Sequence, residues 1–177
     1  MVQTPMPEPS AGMSCVRRLY VLLCGFEILP KSVSTRGLGQ RFILSEPVSA
    51  YLLDTTAGWV LLDAGLNGAH ARDPAWMERN YLRHGMAPPV VRDAHLLEPQ
   101  LAALGVRPAD IGHVILSHLH YDHCGELGLF THARVSVQRR EHTHPTRGAE
   151  NRTRVQSGQV GMRGEQWPRQ TADCPLR

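Results

Sequence analysis

A buried strand that runs straight into a histidine cluster limits the folds open to this 177-residue chain more than any other stretch of it. Val114-Ile115-Leu116-Ser117 reads as the strand, and His118, His120, Asp122 and His123 follow at once in the order H-x-H-x-D-H. Alternate residues of an extended loop project to the same side, so His118 and His120 can chelate one cation. Asp122 and His123 are adjacent and point apart, which suits them to a second cation close by. Imidazole nitrogen with one carboxylate oxygen fits Zn²⁺, with Fe or Mn as other choices. Chance places this pattern in a chain with so many histidines only about once in a thousand. Sheets of α/β proteins build their sites at the carboxyl ends of such strands.

The rest of the chain supplies partners for that strand. Residues 17–24 read as a first strand buried on both faces, continuously apolar from Leu19 onward. Arg17-Arg18 before it mimics an export signal, but Glu27 ends the run and no small-residue cleavage site follows. Pro30, Gly37, Gly39 and Pro47 make residues 30–47 read as a long surface loop around a short strand at 42–44. A hairpin comes next, with strands at 48–53 and 59–62. It ends at Asp63-Ala64-Gly65, where a carboxylate meets a glycine able to take positive φ. Residues 66–92 look irregular, apart from a helix over 75–83 with Asp73-Pro74 as cap and first-turn residue. Leu96, Leu97, Leu101 and Leu104 recur at helical spacing over 95–104; Pro99 sets where the regular part begins, and Gly105 stops it. Residues 134–137 suggest another strand, and Arg139-Arg140-Glu141 the start of a helix. Hairpin and strand–helix–strand patterns together predict an α/β chain with a mixed sheet and flanking helices.

Composition excludes several classes of function. Residues 1–142 hold 13 basic and 13 acidic side chains, so no basic face for nucleic acid is expected in the folded part. The whole excess of positive charge lies in 143–177, where six Arg face Glu150, Glu165 and Asp173. No stretch approaches the length of a membrane span. Cys15, Cys24, Cys124 and Cys174 form no CxxC pair, which points to reduced thiols and a cytoplasmic setting.

The strand and HxHxDH loop, preceded by a hairpin ending in Asp63-Ala64-Gly65, resemble the metallo-β-lactamase superfamily of dinuclear metallohydrolases. Within it, the first strand, AYLLDTTAGWVLLDAG (50–65) and SHLHYDHCGELGLF (117–130) running into RVSVQRRE (134–141) are similar to the N-acyl homoserine lactonase branch. The resemblance covers about residues 17–142 and implies the N-terminal half of an αβ/βα sandwich with two zinc ions at its edge. It further implies a bridging hydroxide that attacks an ester or lactone carbonyl, so that the ring opens to a hydroxy acid. By position, His118 and His120 would bind the first metal and Asp122 and His123 the second. Asp122 would also be the catalytic proton acceptor, and Asp63 would orient a ligand by a hydrogen bond. The implied partner is a small ester or lactone; the alternatives are a glyoxalase-II-like thioesterase of the same fold, or a non-catalytic truncated fragment.

That family completes its site from its second half, with a third His, a bridging Asp and a last His. None of these has a counterpart here, and His142-x-His144 is a weak substitute. Residues 143–177 contain only eight apolar residues, without period, and read as a disordered Arg/Gly/Gln-rich tail. A truncation or frame shift near residue 142 is the expectation, with 1–14 a loose tail and 15–142 a partial domain. Each metal would then keep two protein ligands, below the three of a catalytic zinc, and activity would be impaired. Half a sandwich also leaves one sheet face bare, which predicts aggregation or reliance on another chain, a homodimer being one form.

Overall fold

Leucine- and valine-rich alternation builds a five-stranded sheet in the order β1-β2-β3-β4-β5. The computed structural model describes residues 16–35, 38, 39 and 41–138. The expectations for 1–14, for a helix at Arg139-Arg140-Glu141, for His142 and His144 and for the 143–177 tail fall outside them. Strands β1 (Val16–Pro30), β2 (Ile43–Thr55) and β3 (Gly58–Leu62) form an antiparallel meander. Strands β4 (Ile111–Leu116) and β5 (Arg134–Val137) then add in parallel, so the sheet is mixed. Parallel neighbours need crossovers, and these carry the helices. Helices α2 (Gly68–Arg72), α3 (Pro74–Asn80) and α4 (Leu97–Ala103) lie between β3 and β4, and α5 (Tyr121–Cys124) between β4 and β5.

The first two strands are longer than their sequence suggests. β1 continues past residue 24 to Pro30, through a register shift between Leu23 and Gly25, and pairs with 43–47 in what reads as loop. Pro47 is tolerated there because this half of β2 has β1 on one side only; β3 pairs no further back than Tyr51. A single helical turn, α1 (Lys31–Ser34), stands at the tip of this long arm.

Helix ends follow capping chemistry. Asp73 accepts a hydrogen bond from Ala75 N at 2.9 Å, with Pro74 in the first turn of α3, which stops at Asn80 rather than 83. A further helix, α2, occupies part of the irregular segment, capped by Asn67 accepting from His70 N. In α4, Pro99 sits in the first turn, where its missing N–H costs nothing.

Side-chain alternation gives the sheet two different faces. Leu22, Ala50, Leu52, Leu61 and Val114 point to one side and pack with Leu97 and Leu101 of α4, Leu127 and Phe130 into a single core. The opposite side carries Leu19, Val21 and Ile115, with Leu19 and Val21 more than half exposed. Register places Tyr51 and Leu62 beside Val21 and Ile115, so this side is apolar without a covering layer among the described residues.

One acid is buried at the bend of β1. Glu27 is 7% exposed; Tyr81 donates to its Oε1 at 2.7 Å, and its Oε2 has no partner among the described residues. Burial, reinforced by the charges of Asp122 and of its cross-strand partner Glu46, pushes this carboxyl up to about 7 against the pull of Tyr81 and His123. The folded chain therefore holds a proton on Glu27 that the unfolded chain releases near pH 4.5. Stability contributed by this group is lost as pH rises from 4.5 toward 7, by about 2–3 kcal/mol. Urea unfolding of the chelator-treated chain across that range checks it: Glu27→Gln should flatten the decline relative to the parent, and parallel curves would show that Glu27 does not titrate this way.

Candidate metal centre

The site is assembled at the carboxyl ends of β3 and β4. Asp63, the residue after β3, is the one non-glycine residue with positive φ (60°) among those described. Asp tolerates this region better than most residues, and here the turned backbone aims its carboxylate at the loop after β4. Ser117 N donates to Asp63 Oδ1 at 2.7 Å, Ser117 Oγ to Oδ2 at 2.8 Å, and His123 Nδ1 lies 2.8 Å from Oδ2. Burial opposes ionisation of Asp63, but the hydrogen bonds from His123 and Ser117 outweigh it and hold the carboxyl below its ordinary range.

Backbone bonds then lace the two loops together. Ala64 N donates to His123 O at 2.7 Å, Gly125 N to Gly65 O at 2.8 Å and Gly68 N to Glu126 Oε1 at 3.0 Å. A side chain at Gly125 is excluded, since its Cβ would lie 2.5 Å from Asn67 N and 2.6 Å from Gly65 O. This fixes α5, and with it Asp122 and His123, against the end of β3.

The four motif side chains meet. His118 Nε2 is 3.0 Å from His120 Nδ1, and the His118 and His123 rings are 4.0 Å apart between centroids. His123 Nε2 lies 3.1 Å from Asp122 Oδ2, so these neighbours converge on each other instead of pointing apart. The helical turn of α5 replaces the extended loop from which divergence was expected. Among the described residues, His118, Asp122 and His123 each bring one ligand atom within 4.8 Å of the others. Burial opposes protonation of His123, but Asp122 and Asp63 on its two ring nitrogens raise it to about 9.

This arrangement fits a divalent ion. Two nitrogens on one tetrahedral zinc stand about 3.3 Å apart, close to the His118–His120 spacing. Ligating imidazoles usually engage their second nitrogen elsewhere. His118 Nδ1 lies 3.0 Å from Ser117 Oγ and His123 Nδ1 is held by Asp63, which leaves both Nε2 atoms on the ligand side. Sequence reading placed Ser117 in the strand and missed its part; a hydroxyl directly before the first His was the signal.

Other titratable groups lie elsewhere. His70 stacks on Trp76 at 4.8 Å. His95 caps by accepting from Arg92 N, and His113 bonds Ser136 Oγ at 2.9 Å. Tyr121 packs on Trp76 and donates to Asn80.

The sequence profile of the metallo-beta-lactamase superfamily matches residues 45–172. The chain belongs to that superfamily. It is 30% identical over 127 residues to an N-acyl homoserine lactonase of Bacillus thuringiensis, covering 72% of this chain and 50% of the relative. A lactonase of Azorhizobium caulinodans is 36% identical over 103 residues, 55% of this chain and 36% of its own. A solved N-acyl homoserine lactone hydrolase, with N-hexanoyl-L-homoserine bound at its catalytic metal centre, superposes with a TM-score of 0.63 at 31% identity. That match covers 71% of this chain and 50% of the other. The chain thus spans about half the length of such relatives.

In this metallo-beta-lactamase domain, the hydrogen bond between Asp63 and His123 is placed to orient the ring. Asp63→Asn keeps the shape and removes the charge that orients the ring. Zinc affinity, titrated against a competing chelator, should fall roughly 10–100-fold. Unchanged affinity would detach Asp63 from the centre.

Proposed function

We propose that this chain carries the metal loop of a hydrolase that opens the lactone ring of N-acyl homoserine lactones, the chemistry of quorum quenching. The observation that carries the reading is the convergence of His118, Asp122 and His123, with His120 against His118. Similarity to named lactonases over most of the described residues supports the choice of substrate.

His118, His120, Asp122 and His123 are the residues that would hold two zinc ions, or Fe or Mn in their place. Bound there, divalent metal makes water nucleophilic near neutral pH and polarises the carbonyl. Burial opposes ionisation of Asp122, but the hydrogen bond and charge of His123 keep it below the ordinary carboxylate range. It is therefore ionised at neutral pH, able to ligate and to take the proton that water gives up. The water oxygen adds to the carbonyl carbon, the ring C–O bond breaks, and the proton ends on the released alkoxide, giving a hydroxy acid. Ser117 and Asp63 do no bond chemistry; they hold the rings in place.

These four described side chains alone give two ligands to each of two ions, below the three of a catalytic zinc, so weak binding and slow turnover are expected of them by themselves. The sheet face left open among the described residues suits a second copy of this chain as its cover. Cys24 and Cys124, in no disulfide among the described residues, suit a reducing cytoplasm.

Ring opening of N-hexanoyl homoserine lactone, followed as acid release with added Zn²⁺, tests the reading. Slow turnover is expected, abolished by chelation and reduced at least about 100-fold in Asp122→Ala. Turnover indifferent to Asp122→Ala would remove the loop from the mechanism. Preference for a glutathione thioester would move the reading to a thioesterase, and failure to bind metal at all would leave a non-catalytic fragment.

A further inference from the structure

The arm formed by β1 and β2 ends in a tip whose chemistry the hydrolase reading does not use. Val33, Leu38, Phe42 and Ile43 are each between 63% and 70% exposed there. Described residues of the tip bond to one another: Lys31 N donates to Phe42 O at 2.8 Å, Phe42 N to Gly39 O at 2.9 Å, and Thr35 Oγ1 to Lys31 O at 2.9 Å. Apolar side chains are thus presented outward on a hydrogen-bonded turn. Lys31 and Arg41 stand among them, both exposed. From 28 to 45 the sequence contains no acidic residue at all.

We propose that this tip docks on an anionic lipid bilayer. Apolar side chains flanked by cations match a surface where hydrocarbon lies beneath phosphate. Two rival occupants fit less well. A two-fold contact of tip on tip would press Lys31 and Arg41 against their own copies. The chain's own 139–177 segment carries eight Arg against Glu141, Glu150, Glu165 and Asp173, so it repels the tip. This surface contact needs no spanning segment, and no helix of the described residues is long and apolar enough to cross a membrane. The proposal stands independently of which ester the metal loop hydrolyses.

Flotation of the full chain with vesicles tests it, because aggregates formed through the bare sheet face sink while vesicle-bound protein rises. The chain should float with phosphatidylcholine vesicles containing phosphatidylglycerol, less with phosphatidylcholine alone, and less as salt is raised. Each basic residue near such a surface is worth about fivefold in partitioning, so Lys31→Gln/Arg41→Gln should lose roughly 25-fold. Leu38→Ser/Phe42→Ser should abolish flotation with an unchanged circular dichroism spectrum, while Val21→Ser on the sheet face should float like the parent. Absence of flotation by the parent, equal flotation with neutral vesicles, or tip variants that float as well as the parent would each overturn the proposal. A parent dimer that Leu38→Ser/Phe42→Ser converts to monomer, without flotation, would assign the tip to a second copy instead.

Discussion

The buried carboxylate of Asp63 is the hinge pin of this structure. Its backbone sits in a left-handed conformation that costs a non-glycine residue on the order of 1 kcal/mol, and that conformation is what turns the carboxylate toward the end of β4. Three hydrogen bonds, from Ser117 N, Ser117 Oγ and His123 Nδ1, offset the strain. A charge removed from water is stable only with such partners, so each group constrains the others. Without Asp63, Ser117 and His123 would have to find other acceptors, and nothing would lock their rotamers. The metal loop has a defined geometry because the strand before it on the sheet ends in an anion.

Close backbone contact completes that lock. Gly125 lies so near Asn67 and Gly65 that any side chain would separate the 63–68 and 121–126 segments. The bond from Ala64 N to His123 O then ties the carbonyl of a motif histidine to the residue after Asp63. One histidine is thereby held twice, by its ring and by its own backbone. Flexible loops seldom bring three imidazoles and a carboxylate into such proximity, because ordering them costs entropy that few contacts would offset. Here the cost is met by a sheet that orders the flanks anyway.

Much of this was legible in the residues. Period-two and continuous apolar runs located β3, β4 and β5, and the H-x-H-x-D-H spacing marked the loop whose side chains lie together. What stayed hidden depended on non-local pairing. The continuation of β1 and the early start of β2 are invisible locally, since Pro30, Pro47 and two glycines spell loop; only mutual pairing of the two arms makes them strand. The convergence of Asp122 with His123 was hidden for a similar reason: the fold imposes a helical turn where the spacing alone suggests an extended loop. Glu27 was read only as the end of an apolar run, whereas its burial beside Tyr81 is set by a helix 50 residues away in sequence. The assignments for 143–177 concern residues outside the structural description.

The two faces of the sheet differ in what covers them among the described residues. Helix α4 and the segment before β5 cover one face with a continuous core, and that core is enough to order the strands that hold the centre. The other face pairs Val21, Tyr51, Leu62 and Ile115 across four strands in register, an arrangement that water disfavours and a second layer would bury. Metal ligation and this bare face are linked through the same strand, since Ile115 lies two residues before Ser117. A layer that covers Ile115 would therefore lie beside the carboxyl end of β4, where the histidine motif begins.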